Sequence, residues 1–312
     1  MEVKRYDKKV DYERVLNFLK ERYLENKNME CWLPARFDDL VHRIDTLYRD
    51  ERGKEASSDY IFIYEEEGEI VGLITPDGDS FNSSIKRGYE YIFKDMLDLA
   101  EKELTPLFER DENGEINFLV VSHDSLTYQA EELKSRGYVK DTKGDFDNCQ
   151  HPMETNYIID LPEGFKQVYG NNIDDNMKAK ACHYGFHPSD DDGILTGSFR
   201  EGILAYQSRK NSKFYKDSFE SLIVSDEGDI CTYCFCYVDK ITSTAFVEPV
   251  CTREKYRHRG FAKQMLYGVI NKLKEMEIEN AYINSYDWRV KVYNSAGFVT
   301  EDSIGFWYKK IK

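Results

Sequence analysis

Apolar and polar positions along the chain follow two rhythms, and the rhythms recur in the same order in each half. Tyr60–Tyr64 and Ile70–Thr75 are strand-like runs joined by a Gly-centred turn, and so are Ser221–Val224 and Ile230–Val238. That pattern predicts a hairpin in each half. From about Tyr91 to Leu104, and from Phe261 to about Met276, apolar residues fall at the spacing of a helix with one buried face. A short strand pattern follows in each half, INFLVVS and NAYINSY. A second helical stretch then ends at Gly137 or Gly297, where a helix favours a residue free to take positive φ. TNYIIDL and IGFWYKKI read as the strands that close each half.

The shared order is a repeat. Glu67-Gly68-Glu69-Ile70 returns as Glu227-Gly228-Asp229-Ile230, 160 positions on, and KSRGYV with Gly137 returns as NSAGFV with Gly297 at the same separation. Two marks at one spacing indicate one fold used twice. Strand, helix, strand, helix and strand after a hairpin give an α/β (mixed α+β) layout, with a boundary near IIDLPEGF that sets domains of 1–160 and 161–312.

Composition narrows the class. At 312 residues with 41% hydrophobic and 14% aromatic residues, the chain has material for two cores. A net charge of -15 opposes wholesale binding to nucleic acid or anionic membrane. Seven Cys, an odd number scattered through the chain, indicate free thiols in a reducing compartment. With no apolar leader in MEVKRYDKKVDYERV and no membrane-length run, a cytoplasmic protein is expected.

Against that acidity one stretch stands out. REKYRHRGFAKQM sets Arg253, Lys255, Arg257, Arg259 and Lys263 around Gly260, between the strand pattern TSTAFVEPVCT and the Phe261 helix. A Gly-containing turn there aims backbone N–H groups and the positive helix end at one spot. Gly260 and the small Ala262 let an anion approach closely, and the flanking cations can add charge-assisted contacts to phosphate oxygens. Neither GxxxxGK[ST] nor GxGxxG occurs in the chain. Arg257-His258-Arg259-Gly260-Phe261-Ala262 is R-x-x-G-x-A. It resembles the coenzyme A pyrophosphate loop, [QR]-x-x-G-x-[GA], of the GNAT superfamily of N-acetyltransferases. VEPVCTREKYRHRGFAKQML, NAYINS and VYNSAGF follow that superfamily's order, so the resemblance covers about 225–312 clearly and the second half more loosely.

The resemblance implies two tandem GNAT-like domains, each a mixed twisted sheet flanked by helices. It implies acetyl transfer from acetyl-CoA to a primary amine, a small molecule, by direct attack in the second domain. Val250, Cys251, Thr252, Arg257, His258, Arg259, Gly260, Phe261, Ala262 and Asn284 would bind the cosubstrate. Backbone groups of Val250 and Thr252 would pair with the pantetheine arm, and the Val250 N–H would hold the thioester oxygen. Pro249, without an N–H, fits a bulge where strands part. Tyr293, four residues before Gly297, stands at the position for protonating the coenzyme A sulfur; the alternative is a tyrosine that packs the helix end. Glu248 is the candidate base, its pKa raised by burial near the acyl site; it could equally bind a cationic substrate or pair with an arginine of the loop. The first half departs from the pattern: Lys86-Arg87-Gly88-Tyr89-Glu90 puts a carboxylate where the second loop has Ala262, and Leu133 stands for Tyr293. That half is expected not to turn over acetyl-CoA. The cleft between the halves, with the loop near 183–200, is the expected acceptor pocket, and a monomer is expected, with a dimer open. A non-catalytic coenzyme A-binding sensor or assembly protein is the rival reading.

Other patterns carry less. In CTYCFCY, strand alternation puts Cys234 and Cys236 on one face and Cys231 on the other, which suits buried thiols better than zinc. His183 and His187 in HYGFH are four apart, but Gly185 and Pro188 argue against a helix, so they are expected to line the acceptor pocket without holding a metal. Asp190-Asp191-Asp192-Gly193 reads as a solvated turn.

Overall fold

The computed structural model describes residues 1–47, 57–77, 80–107, 110–141, 146–191, 198–286 and 289–312. The N-terminal half runs β1 (Glu2–Arg5), α1 (Lys8–Asn26), α2 (Pro34–Leu47), α3 (Ser57–Tyr60), β2 (Phe62–Glu66), β3 (Glu69–Asp77), β4 (Ser80–Ile85), α4 (Phe93–Leu104), β5 (Ile116–His123), α5 (Thr127–Ser135), β6 (Val139–Lys140) and β7 (Phe146–His151). The C-terminal half follows the same plan: β8 (Phe165–Tyr169), α6 (Asp175–Phe186), α7 (Pro188–Asp191), α8 (Ser198–Arg209), β9 (Glu220–Ser225), β10 (Ile230–Asp239), β11 (Thr244–Thr252), α9 (Phe261–Glu275), β12 (Asn280–Tyr286), α10 (Val290–Asn294) and β13 (Val299–Ile311).

The repeat is therefore real at the level of elements, and its two marks sit where the backbone needs them. Gly68 and Gly228 take φ of 84° and 90° in the hairpin turns, and Gly137 and Gly297 take 81° and 93° after α5 and α10. The amphipathic helices bury the expected stripes: Met96, Leu97, Ala100 and Leu104 on α4, and Met265, Leu266, Val269, Ile270 and Leu273 on α9. Apolar clusters cover the two faces of the sheet in each half, under α9 and under α6 in the second, under α4 and under α1–α2 in the first.

The halves are joined more closely than a linker would join them. One mixed sheet runs β1-β2-β3-β4-β5-β13-β7-β12-β11-β10-β9-β8. The closing strands are exchanged: β13 pairs with β5 from Ile304↔His123 to Ile311↔Ile116, while β7 pairs with β12 from Ala281↔His151 to Tyr286↔Phe146. Between them β13 and β7 pair with each other. Helix contacts tie the halves again, with Asp38 of α2 accepting from the Lys213 N–H at 3.1 Å and from Ser212, and Asp39 accepting from Tyr237.

Several expectations are corrected. TNYIIDL makes no sheet pairing; the first half closes with the more polar FDNCQH of β7. TNYIIDL instead straps α9: Asn271 bonds both the N–H and the carbonyl of Tyr157 at 2.9 and 2.8 Å, and Tyr157 stacks on Tyr267 at 4.1 Å. Cys231 lies with Cys234 and Cys236 in the cluster under α9, because an irregularity between Ile230 and Thr232 adds a residue and resets the alternation. His183 is helical, and Gly185 is what lets α6 approach β11: a Cβ there would lie 2.5 Å from the Cys251 sulfur. His183 is buried and bonds Asp190 at 2.6 Å, so Asp190 is fully buried and no solvated turn; residues 192 and 193 lie outside the described residues. Among the described residues no group of three His, Cys, Asp or Glu could hold a metal, and no helix is long and apolar enough to cross a membrane.

His151, at the end of β7, links this architecture to pH. Its ring accepts from the Met153 N–H at 3.0 Å, meets the Tyr157 hydroxyl at 2.9 Å and packs edge-on against Phe298. Burial pushes the imidazole down from 6.5 to about 4. As pH falls below 6.5 the unfolded chain takes up a proton that the fold refuses, so stability drops until about pH 4 and no further from this group. The expected loss over that window is roughly 3 kcal/mol. Denaturant midpoints of wild type and His151→Gln, compared from pH 7.5 to 4, should converge as the pH falls; parallel curves would contradict the assignment.

Candidate active site

The site begins where two strands part. β11 and β12 are parallel neighbours only over Thr244–Phe246 and Asn280–Tyr282, while β11 stays paired with β10 as far as Thr252. Within β11, Val247 lies opposite Cys236 and Val250 opposite Cys234, so Glu248 and Pro249 bulge against the single Phe235. This is the bulge that Pro249 suggested. The Arg253 N–H donates to the Cys231 carbonyl at 3.0 Å, which assigns the odd-numbered residues to the β10 ladder. By alternation, the N–H and C=O groups of Val250 and Thr252 turn toward the open side. Cys251 points its side chain the other way, into the α6 face, with its sulfur 3.6 Å from the Cys182 carbonyl.

The basic loop links β11 to α9. His258 (φ 61°) and Gly260 (φ 77°) adopt the left-handed conformation, Gly260 is the cap residue, and no Cβ contact would crowd it within 4 Å. Among the described residues, the backbone N–H groups of His258, Arg259, Gly260, Phe261 and Ala262 have no protein acceptor. These are donors for an anion, next to a helix N-terminus. Phe261 is buried and anchors the first turn against Phe165 at 4.8 Å.

The loop's cations are not all held ready for a ligand. Arg257 spends its guanidinium on two carbonyls, Thr252 at 3.1 Å and Gly185 at 2.8 Å, and so ties the loop to α6. Arg259 lies over Phe165 and Phe261 at 4.5 and 4.8 Å. Lys255 and Arg253 face Asp229 at 2.7 and 3.5 Å, with Tyr256 bonding the same carboxylate at 2.6 Å. Hydrogen bonds from Lys255 and Tyr256 hold Asp229 down at about 2. Sequence reasoning used Asp229 as a repeat mark and missed that it braces the loop; its place in EGDI gave no signal of a partner 26 residues away.

The first half shows the same loop closed on itself. The Gly88 N–H donates to the Glu90 carboxylate at 3.0 Å, so this turn already carries an anion of its own. Leu133 is fully buried where α10 presents Tyr293.

Tyr293 is buried on α10 and packs against Phe298 at 6.2 Å. Burial raises its hydroxyl well above the usual tyrosine value, with Cys234 adding and Arg289 opposing. That hydroxyl has no hydrogen-bond partner among the described residues, and its electrostatic neighbours include Glu248 and Cys251 of β11. Glu248 is not buried as expected: its side chain is 53% exposed and pairs with Arg36 of α2 at 3.2 Å. Arg36 is in turn sandwiched near Trp32 and Phe246, 4.9 and 5.2 Å from their rings. The Oδ1 of Asn284, on β12, is buried and has no hydrogen-bond partner among the described residues.

Two cavities meet at Glu248. The larger, about 480 Å³, lies over the exchanged strands and is lined by both halves, including Asn284, Tyr286, His123 and Gln129. The smaller, about 250 Å³, reaches from Pro249 to Phe186, Ala205 and Arg209. Trp32, Arg36, Arg43 and Glu248 wall both. His183 lines neither, since Asp190 encloses it.

Comparison with known proteins agrees with this geometry. Residues 193–298 match the Acetyltransferase (GNAT) family. No curated protein matches the chain in sequence. A GCN5-related N-acetyltransferase from Sphaerobacter thermophilus is similar in structure at 14% identity, with a TM-score of 0.64 over 100% of this chain and 96% of that one. A tandem GNAT protein from the clavulanic acid biosynthesis pathway is similar at 10% identity and a TM-score of 0.62, over 99% and 98%. A GNAT-family acetyltransferase from Colwellia psychrerythraea reaches 0.58 at 15% identity over 99% and 100%. At these identities the likeness is one of fold, and the fold is the tandem one.

Proposed function

We propose, from the premise that residues 193–298 form a domain of the acetyltransferase (GNAT) family, that the second half moves an acetyl group from acetyl-CoA to the amine of a small molecule by direct attack. The observation that carries the reading is the conjunction of parted strands, a bulge at Glu248–Pro249 and an unpartnered row of N–H groups at the start of α9.

In this reading the N–H groups from His258 to Ala262 bind the pyrophosphate, with Arg257 holding the loop through backbone contacts. Val250, and the N–H of Thr252 whose carbonyl Arg257 already holds, offer their outward backbone groups to the pantetheine arm, as a neighbouring strand would. The Val250 N–H supports the carbonyl oxygen as charge gathers there. Tyr293, kept protonated by burial, gives its proton to the departing sulfur. Glu248 accepts a proton from the amine through water, and Arg36 from the first half holds it in place. The first half thus serves as a wall and a positioning element.

Thiol release from acetyl-CoA, followed across a library of small amines, tests this reading. Amine-dependent release that yields the N-acetyl product supports it. Tight acetyl-CoA binding with no amine-dependent release would favour a coenzyme A-binding protein without transfer.

A further inference from the structure

Among the described residues, the smaller cavity is walled by three arginines, Arg36, Arg43 and Arg209, and two carboxylates, Asp39 and Glu248. Both carboxylates have partners: Asp39 accepts from the Tyr237 hydroxyl, and Glu248 pairs with Arg36. Arg209, half-buried at the end of α8, has no carboxylate within ion-pair distance among the described residues. Its hydrogen-bond partner among the described residues is the Cys182 sulfur at 3.9 Å, whose thiol Cys251 and then Arg209 hold below the usual range. Asp39 and Cys182 favour its charge from nearby, but no carboxylate among the described residues closes on the guanidinium itself, which lines the cavity where an anionic group can meet it.

Glu248 walls both cavities and leads into the larger one, where the buried Asn284 Oδ1 has no partner among the described residues; both are acceptors beside the parted strands. A cationic amine without an acidic group would meet arginine along the cavity wall, and a polyamine more so.

The geometry points to an acceptor that carries a carboxylate together with its amine, an amino acid or amino-acid-like metabolite, with Arg209 receiving the carboxylate and Glu248 and Asn284 facing the amine. This rests on the acetyl-transfer reading above. Planar bidentate pairing of guanidinium with carboxylate also fixes orientation, which would turn the amine toward the bulge. Arg209 is here a specificity residue, not a catalytic one.

The test uses the full chain and matched pairs of probes: alanine with ethylamine, phenylalanine with phenethylamine, tyrosine with tyramine, and lysine with cadaverine. Initial rates of acetylation are read for each pair, and binding of the corresponding N-acetyl products is read calorimetrically with coenzyme A present. The expected result is a preference of at least about tenfold for the carboxylate-bearing member of one or more pairs, erased by Arg209→Gln and partly kept by Arg209→Lys. Unchanged acetyl-CoA affinity in both variants shows that the second half is intact. Equal or better use of the decarboxylated amines overturns the inference, and so does failure of every amino acid and N-acetyl amino acid to react or bind while acetyl-CoA binds. If acetyl-CoA itself does not bind, the acetyl-transfer reading falls, and this inference falls with it.

Discussion

Replacing Lys178 by alanine is expected to destabilise the protein by about 3–5 kcal/mol, the largest single effect away from the site. Lys178 of α6 is 1% exposed, and its ammonium meets Glu220 of β9, Asp175 at 3.0 Å, Asp217 at 3.3 Å and the Gly170 carbonyl at 3.2 Å. Glu220 is fully buried and also accepts from the hydroxyls of Tyr206 at 2.9 Å and Tyr233 at 2.8 Å. Removing the cation leaves that carboxylate enclosed without its ion pair, with the two tyrosine hydroxyls as its remaining side-chain donors among the described residues. Gly170 permits the arrangement, since a Cβ there would overlap the Glu220 side chain. Chemical denaturation reads the loss directly. The double variant Lys178→Met with Glu220→Gln should recover most of it, because no uncompensated charge remains. A loss below about 1 kcal/mol in Lys178→Ala would show that water or neighbouring groups replace the ammonium.

The second large effect concerns chemistry. Tyr293→Phe is expected to lower kcat about 10²- to 10³-fold while leaving acetyl-CoA affinity within about twofold. The variant keeps the ring and its contact with Phe298, so packing is preserved and only the hydroxyl is lost. Burial raises this hydroxyl's pKa, so it is protonated throughout the neutral range and can serve only as a donor. Transfer rates at saturating acetyl-CoA, with calorimetric binding beside them, separate the two quantities. An unchanged kcat would mean that Tyr293 packs the helix end and that the leaving sulfur takes its proton elsewhere.

What the sequence disclosed follows from what acts locally. Gly68, Gly228, Gly137, Gly260 and Gly297 occupy positive φ, and short-range backbone geometry makes such positions visible as turns and caps. The stripes of α4 and α9 and the loop from Arg257 to Ala262 were legible for the same reason. The exchange of β7 and β13 was not. It is decided by pairing across the whole chain, and the true closing strand, FDNCQH, is more polar than TNYIIDL, which packs on α9 through Tyr157 instead. Gly185 misled because a glycine that breaks an isolated helix can also permit close approach to a neighbour, here Cys251. Glu248 was found but misjudged: its partner Arg36 lies 212 positions away in the other half, and no local pattern announces such a pair. Arg209 went unnoticed because its significance lies in lining the cavity with no carboxylate at ion-pair distance among the described residues, which only the folded cavity reveals.

The central claim is that the second half alone holds the cosubstrate, and isothermal titration of the full chain with acetyl-CoA tests it most directly. The expected result is one site per chain, abolished in Gly260→Glu, where a side chain at φ 77° strains the turn and sets a carboxylate before the anion donors. Two sites per chain, or one site that survives Gly260→Glu, would contradict the account and move the cosubstrate to the half whose loop Glu90 closes.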